Sequence, residues 1–163
     1  MTEMERVDVY LGLGTNEGDR DMNLLRALNL LDQTFGTHPE RISHIVESPS
    51  WGFDGPPFLN FCVLYRLPSK GTPQEQALGI LQQVKEVEKA LGRKEEPLFD
   101  ADGNRVYHNR PIDIDILLFG TETIHTEELY VPHPLIAQRD FVLKPLLEIS
   151  KPNVREAFPE IFA

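Results

Sequence analysis

The chain has 163 residues, with 40% hydrophobic residues and a formal charge of 16 − 26 = −10. That length fits one domain, residues 1–163, with a sizeable core, and the acidic balance argues against a general nucleic-acid binder while leaving room for a local basic pocket. A single cysteine, Cys62, excludes an intrachain disulfide and fits a reducing compartment. The N-terminus carries no apolar signal core, because Glu3, Glu5, Arg6 and Asp8 interrupt it, and no run is long enough to span a bilayer. The expectation is a cytoplasmic protein with no membrane partner, a monomer or weak homodimer.

Val7 to Leu13 alternates as a first strand and runs into the turn-rich Gly14-Thr15-Asn16-Glu17-Gly18-Asp19-Arg20. Asp19 is placed to cap a helix over residues 20–35, whose apolar positions Leu24, Leu25, Leu28, Leu31 and Phe35 recur at helical spacing; Gly36 ends it. Arg41 to Ser48 reads as a second strand. A loop over residues 49–57 follows, with three prolines and the aromatics Trp51 and Phe53. Phe58 to Leu67 is the clearest strand. Pro73 opens a second helix with Leu78, Leu81, Val84, Val87 and Leu91 as its apolar stripe, ended by Gly92. Residues 93–109 make a long polar connection with a hairpin tip at Asp102-Gly103-Asn104. Ile112 to Phe119 is a fourth strand, and a last helix starts at Phe141 or slightly earlier and ends at Ile149. The order β-α-β-β-α-β with C-terminal additions predicts an α+β fold of the ferredoxin-like, split βαβ type, its two helices on one face of an antiparallel sheet. Such a fold hosts many functions and decides none.

The chemistry concentrates in Arg110-Pro111-Ile112-Asp113-Ile114-Asp115. On a strand, residues two apart face the same way, so Asp113 and Asp115 project side by side about 7 Å apart. Two carboxylates on one face need a compensating charge unless they stand in water. A divalent cation and Arg110 supply that charge in one reading; a solvated strand face needs none in the other. Gly12-Leu13-Gly14-Thr15-Asn16 lies between strand and helix but lacks a phosphate-loop pattern. Its glycines fit a tight strand-to-helix turn at least as well as a phosphate cradle. Arg93, Arg110 and Arg139 offer guanidinium forks that match phosphate oxygens, although any single arginine also fits a solvated surface. Aromatic Trp51, Phe53 and Phe58 can cover a flat ring or anchor a loop. Asn60 shares a strand face with Phe58, and its amide suits a ring edge of mixed donors and acceptors or a backbone group. His133 stands between two prolines.

Together these segments resemble 6-hydroxymethyl-7,8-dihydropterin pyrophosphokinase of the folate pathway. The likeness rests on Tyr10 to Arg20, on Ser48-Pro49 with Trp51-Gly52, on Phe58-Leu59-Asn60, on Arg110 to Leu117, and on Val131-Pro132-His133-Pro134 with Arg139 to Leu146. The resemblance implies transfer of pyrophosphate from ATP to the hydroxymethyl group of the pterin, releasing AMP. It implies two Mg²⁺ ions held by Asp113 and Asp115, which with Arg110 form the catalytic group. It implies ATP contacts from Glu88, Arg93, Arg110, His133 and Arg139. On the pterin it implies a sandwich of Phe58 and Phe141, with Asn60, Ser48, Pro49 and Trp51 completing recognition, and lids in residues 49–57 and 93–109. The chain departs from the family pattern at Tyr107-His108-Asn109, where an aromatic, often Trp, precedes Gly-Pro, and at Glu128, which is basic in some members. The alternative of another class is a non-catalytic ferredoxin-like module that binds a metabolite or a protein.

Overall fold

In a computed structural model, residues 5–49, 56–92, 98–99, 101–103, 105–106 and 111–162 are described. The elements are β1 (Arg6–Thr15), α1 (Arg20–Phe35), β2 (Arg41–Ile42), β3 (Val46–Ser48), β4 (Phe58–Pro68) and α2 (Pro73–Ala90). They continue with β5 (Leu98–Phe99), β6 (Arg105–Val106), β7 (Asp113–Phe119), β8 (Ile124–His125), β9 (Tyr130–Val131), α3 (Asp140–Ile149), α4 (Pro152–Ala157) and α5 (Pro159–Phe162). The main sheet runs β2-β4-β1-β7, with β3 also paired to β4, and every pairing is antiparallel. β1 is flanked on both sides, so its backbone touches whatever the sheet carries.

Odd-numbered residues of β1 and β4, such as Leu11, Leu13, Phe61 and Val63, point into one core with Ile114 and Ile116 of β7. α1 and α2 close that core. The α1 cap is as expected, Met22 N–H donating to Asp19 Oδ1 at 3.1 Å, and Gly36 ends the helix at φ 70°. The buried faces are rotated from the expected stripes. Leu24, Ala27 and Leu31 are the buried positions of α1, and Leu25 is exposed. Ala77, Ile80, Val84 and Val87 are the apolar positions buried in α2, while Leu78, Leu81 and Leu91 pack at its edge.

The expected strand Arg41 to Ser48 is two short strands. The break falls at Ser43, whose hydroxyl accepts the Cys62 N–H at 2.8 Å while its own N–H donates to Cys62 O at 2.9 Å. A side chain has taken a ladder position, and regular pairing stops there. The hairpin tip at Asp102-Gly103 joins β5 to β6, which pair with each other. The expected placement of helices on one sheet face holds for α1 and α2 only. α3, α4 and α5 cover half of the second face, where Tyr10, Cys62, Leu64, Leu117 and Leu118 form a second core with Leu146, Ile149, Val154 and Phe158. Arg41 Nη1 donates to Ile149 O at 3.1 Å, and His44 bonds Glu148, so the C-terminal end of α3 is tied to the β2–β3 edge. Between α3 and α4, Lys151 Nζ reaches Asp8 at 3.1 Å and Glu40 at 2.8 Å. No described helix is long and apolar enough to cross a membrane.

Candidate active site

The rest of the second sheet face, at the ends of β1, β4 and β7, carries the half-buried Asp113 and Asp115 and the buried Gly14 and Asn60. Register places Asn60, Gly14 and Asp113 in one cross-strand row, with Cys62, Gly12 and Asp115 in the next. Strands lie about 4.8 Å apart, so Asn60 and Asp113 stand about 10 Å apart across the Gly14 backbone. Neither glycine sits in the strand-to-helix turn. Both lie inside β1, paired on each side, and neither has positive φ.

Asp113 and Asp115 are both half-buried and alternate with the buried Ile112, Ile114 and Ile116, so they share one face as their spacing requires. β7 is an edge strand here, and Glu88 of α2, only 8% exposed, accepts the Ile114 N–H at 2.9 Å. The helix thereby fixes the peptide between the two aspartates. The register slips by one residue between Tyr10 and Leu11, which leaves Leu117 as a bulge. Its carbonyl accepts the His133 N–H at 3.0 Å. Bulges re-aim a strand at functional sites, and this one hooks the Pro132-His133 segment beside the aspartates. The 163-residue sequence contains no local signal for it.

His133 Nδ1 accepts the Leu135 N–H at 3.2 Å, which assigns the ring proton to Nε2. Burial holds the imidazole below the ordinary histidine value. Arg139 adds to that effect and Asp113 opposes it, so all three groups share one field. Arg139 precedes α3 and lies over the Phe141 ring, its guanidinium carbon 5.9 Å from the centroid. Phe141 occupies the first turn of α3, which packs across β4 and β3.

On the β4 side, Asn60 Nδ2 donates to Val46 O at 3.0 Å and Ser48 Oγ at 2.9 Å. Ser48 pairs with Phe58 across the β3–β4 ladder, and Pro49 follows it, exposed. Ser48, Phe58 and Asn60 therefore form one patch, one strand away from the aspartates. Arg93, Arg110 and Trp51 lie outside the described residues, as do Tyr107, His108 and Asn109.

The sequence reading missed what Thr15, Asn16 and Arg20 do. Thr15 Oγ1, fully buried, donates to Pro111 O at 2.6 Å and accepts from Asn23 Nδ2 at 3.3 Å. Asn16 Nδ2 donates to Pro56 O at 3.2 Å, and Arg20 Nη1 to Pro57 O at 2.8 Å. The turn after β1 thus clasps the segments that lead into β7 and β4. The polar run Thr15-Asn16 directly after an apolar strand was the available signal.

Residues 10–151 match the family model described as 7,8-dihydro-6-hydroxymethylpterin-pyrophosphokinase. The chain belongs to that family. It is 44% identical over 147 residues to the 2-amino-4-hydroxy-6-hydroxymethyldihydropteridine pyrophosphokinase of Aquifex aeolicus, covering 90% of this chain and 81% of that one. It is 41% identical over 144 residues to the Porphyromonas gingivalis protein of the same name, covering 87% and 90%. A crystal structure of an HPPK-DHPS in complex with substrates shares the fold, with a TM-score of 0.62 at 15% identity over 96% of this chain and 43% of the other. The chain thus spans less than half of that structural neighbour. This member of the family is an ATP-dependent pyrophosphokinase of folate biosynthesis, and the non-catalytic alternative is not favoured.

The two carboxylates suit a magnesium ion. Mg²⁺ is held by one or two carboxylates together with substrate phosphates and water. Among the described residues, no group of three or more His, Cys, Asp or Glu could form a protein-only metal cage.

Proposed function

We propose that this part of the second sheet face, at the ends of β1, β4 and β7, is where pyrophosphate passes from ATP to the pterin, with the phosphates over β7 and the ring over β4. The observation that carries this reading is the row Asn60, Gly14, Asp113, which sets a ring-reading amide and a carboxylate on either side of a bare strand. A substrate whose hydroxymethyl arm leaves a flat ring is about the length to bridge the two.

In this reading Asp113 and Asp115 hold two magnesium ions, which when bound supply neutralisation of the phosphate oxygens. The pterin hydroxyl oxygen forms a bond to the β-phosphorus. The bond from that phosphorus to the oxygen bridging the α-phosphate breaks, AMP leaves with that oxygen, and the hydroxyl proton is released. Phosphoryl transfer of this kind needs positioning and charge more than a protein nucleophile. His133, with its proton on Nε2, donates to the nucleotide, and Arg139 adds positive charge beside it. Arg93 and Arg110 serve the phosphates, and Glu88 acts on the nucleotide side by holding Ile114. Phe58 and Phe141 enclose the ring, and Asn60, with the backbone near Ser48, Pro49 and Trp51, reads its edge. The sheet order β2-β4-β1-β7 supports a ferredoxin-like core within one domain.

The test is Asp115→Ala assayed with ATP, Mg²⁺ and the reduced pterin, following AMP. AMP formation is expected to vanish while the circular dichroism spectrum is kept. Unchanged turnover would remove the metal assignment.

A further inference from the structure

We infer that Gly14 is a specificity-determining position for the ring substrate: its missing side chain keeps the buried Asn60 amide in place. The inference rests on the proposal that Asn60 and Phe58 face the pterin.

Glycine inside a strand weakens it and needs a reason. A left-handed turn is not the reason here, because the positive-φ glycines are Gly18, Gly36, Gly71, Gly92, Gly103 and Gly120. Space is the reason. A Cβ on Gly14 would come within 3.0 Å of Asn60 Oδ1 and 3.7 Å of Phe58 Cδ1. That is tighter than nine in ten real Cβ contacts, so the neighbour must give by a few tenths of an ångström. The β1 backbone is paired on both sides through Asn60 and Asp113 and does not yield. The amide is also pinned, because its Nδ2 donates to Val46 O and Ser48 Oγ. A methyl group at position 14 therefore strains the amide against its anchors at Val46 O and Ser48 Oγ and shifts it from its place. Gly12 differs: its Cβ would meet only Leu117 side-chain atoms, the nearest at 3.3 Å, and a leucine can rotate away. The two glycines look alike in sequence, yet one is a spacer against a fixed polar group.

Phosphate binding lies on the other flank of Gly14, so the substitution separates the substrates. The experiment measures the affinity of 6-hydroxymethylpterin in the presence of a non-hydrolysable ATP analogue and Mg²⁺, and separately that of the analogue alone. It uses wild type, Gly14→Ala, Asn60→Ala, Phe58→Ala and the Gly14→Ala/Asn60→Ala double variant, with thermal melts as a check on folding. Gly14→Ala is expected to weaken pterin binding about tenfold or more, the scale of one lost buried hydrogen bond, with analogue affinity within about twofold. Against Asn60→Ala, the double variant is expected to lose nothing further, because the methyl acts through the amide it displaces. Pterin affinity unchanged in Gly14→Ala but lost in Asn60→Ala would overturn the role of Gly14 and keep the ring site. Equal losses in both backgrounds would also overturn it. If Asn60→Ala and Phe58→Ala both bind pterin normally, the ring site and this inference fall together. Should Gly14→Ala not fold, the double variant, which lacks the 3.0 Å contact, is compared with Asn60→Ala: equal affinity upholds the inference and further loss refutes it.

Discussion

Thr15→Val removes a hydroxyl and leaves the side chain's shape unchanged, so it isolates the clasp between β1 and the entry to β7. The hydroxyl makes two bonds, to Pro111 O at 2.6 Å and from Asn23 Nδ2 at 3.3 Å. Asn23 keeps a second partner, Glu17 O at 2.6 Å, so its loss is small. The Pro111 carbonyl loses its Thr15 donor, and breaking one side of such a pair costs about 1–3 kcal/mol. The sum is about 2–3 kcal/mol, which for a chain of this size lowers the melting temperature by about 5–10 °C. Thr15→Ser keeps the hydroxyl and loses one methyl, about 0.8 kcal/mol, and falls by only about 2–3 °C. Differential scanning calorimetry distinguishes the two. Because Pro111 lies two residues before Asp113, AMP formation at 25 °C should fall in Thr15→Val with pterin affinity kept. A Thr15→Val melt within 1 °C of wild type, or a Thr15→Ser loss as large, would refute the clasp.

His133 should titrate below the ordinary histidine value in an NMR pH series. Arg139→Ala should raise that midpoint by removing a repulsive charge, and Asp113→Asn should lower it further; opposite shifts would break the shared field. Because the unfolded chain binds this proton more readily than the folded one, stability contributed by His133 is full above the unfolded value and declines as pH falls toward the folded one. Lys151 Nζ donates to Glu40, and this hydrogen bond holds the Glu40 carboxyl below its ordinary value despite the opposing cost of burial. The stability Glu40 adds is present above its unfolded value of 4.5 and is lost as pH falls through its lowered folded value, so Lys151→Met should flatten acid unfolding there; an unaltered profile would count against the bridge. Gly79 sits inside α2 with nothing within 4 Å of a built Cβ, so Gly79→Ala should raise stability by about 1 kcal/mol in urea titration, and a loss would show an unseen constraint.

The sequence carried the parts of the fold that depend on local periodicity. The shared face of Asp113 and Asp115 follows from a period of two, and the α1 boundaries from Asp19 and Gly36. Features set by distant partners were not legible. Ser43 breaks a strand because Cys62 lies opposite it, nineteen residues away. Leu117 bulges because β1 and β7 differ in register, which neither strand records alone. Ala77, Ile80, Val84 and Val87 rather than the leucines face the core in α2, because the face that is buried is set by the sheet it packs on. Gly12 and Gly14 looked like turn residues because glycine before a polar run usually is one. Only the cross-strand neighbour Asn60, 3.0 Å from a Cβ built on Gly14, sets the second glycine apart from the first.

Cys62 carries the only thiol of the chain. It is 1% exposed, its sulfur lies 3.8 Å from Val142 O in the first turn of α3, and burial pushes the thiol far up from its usual value. We expect its alkylation rate to act as a clock for the lifting of that turn. Phe141 and Arg139 belong to the same turn and its approach. A ligand that engages them should slow the clock, and one that binds only over β7 should slow it less.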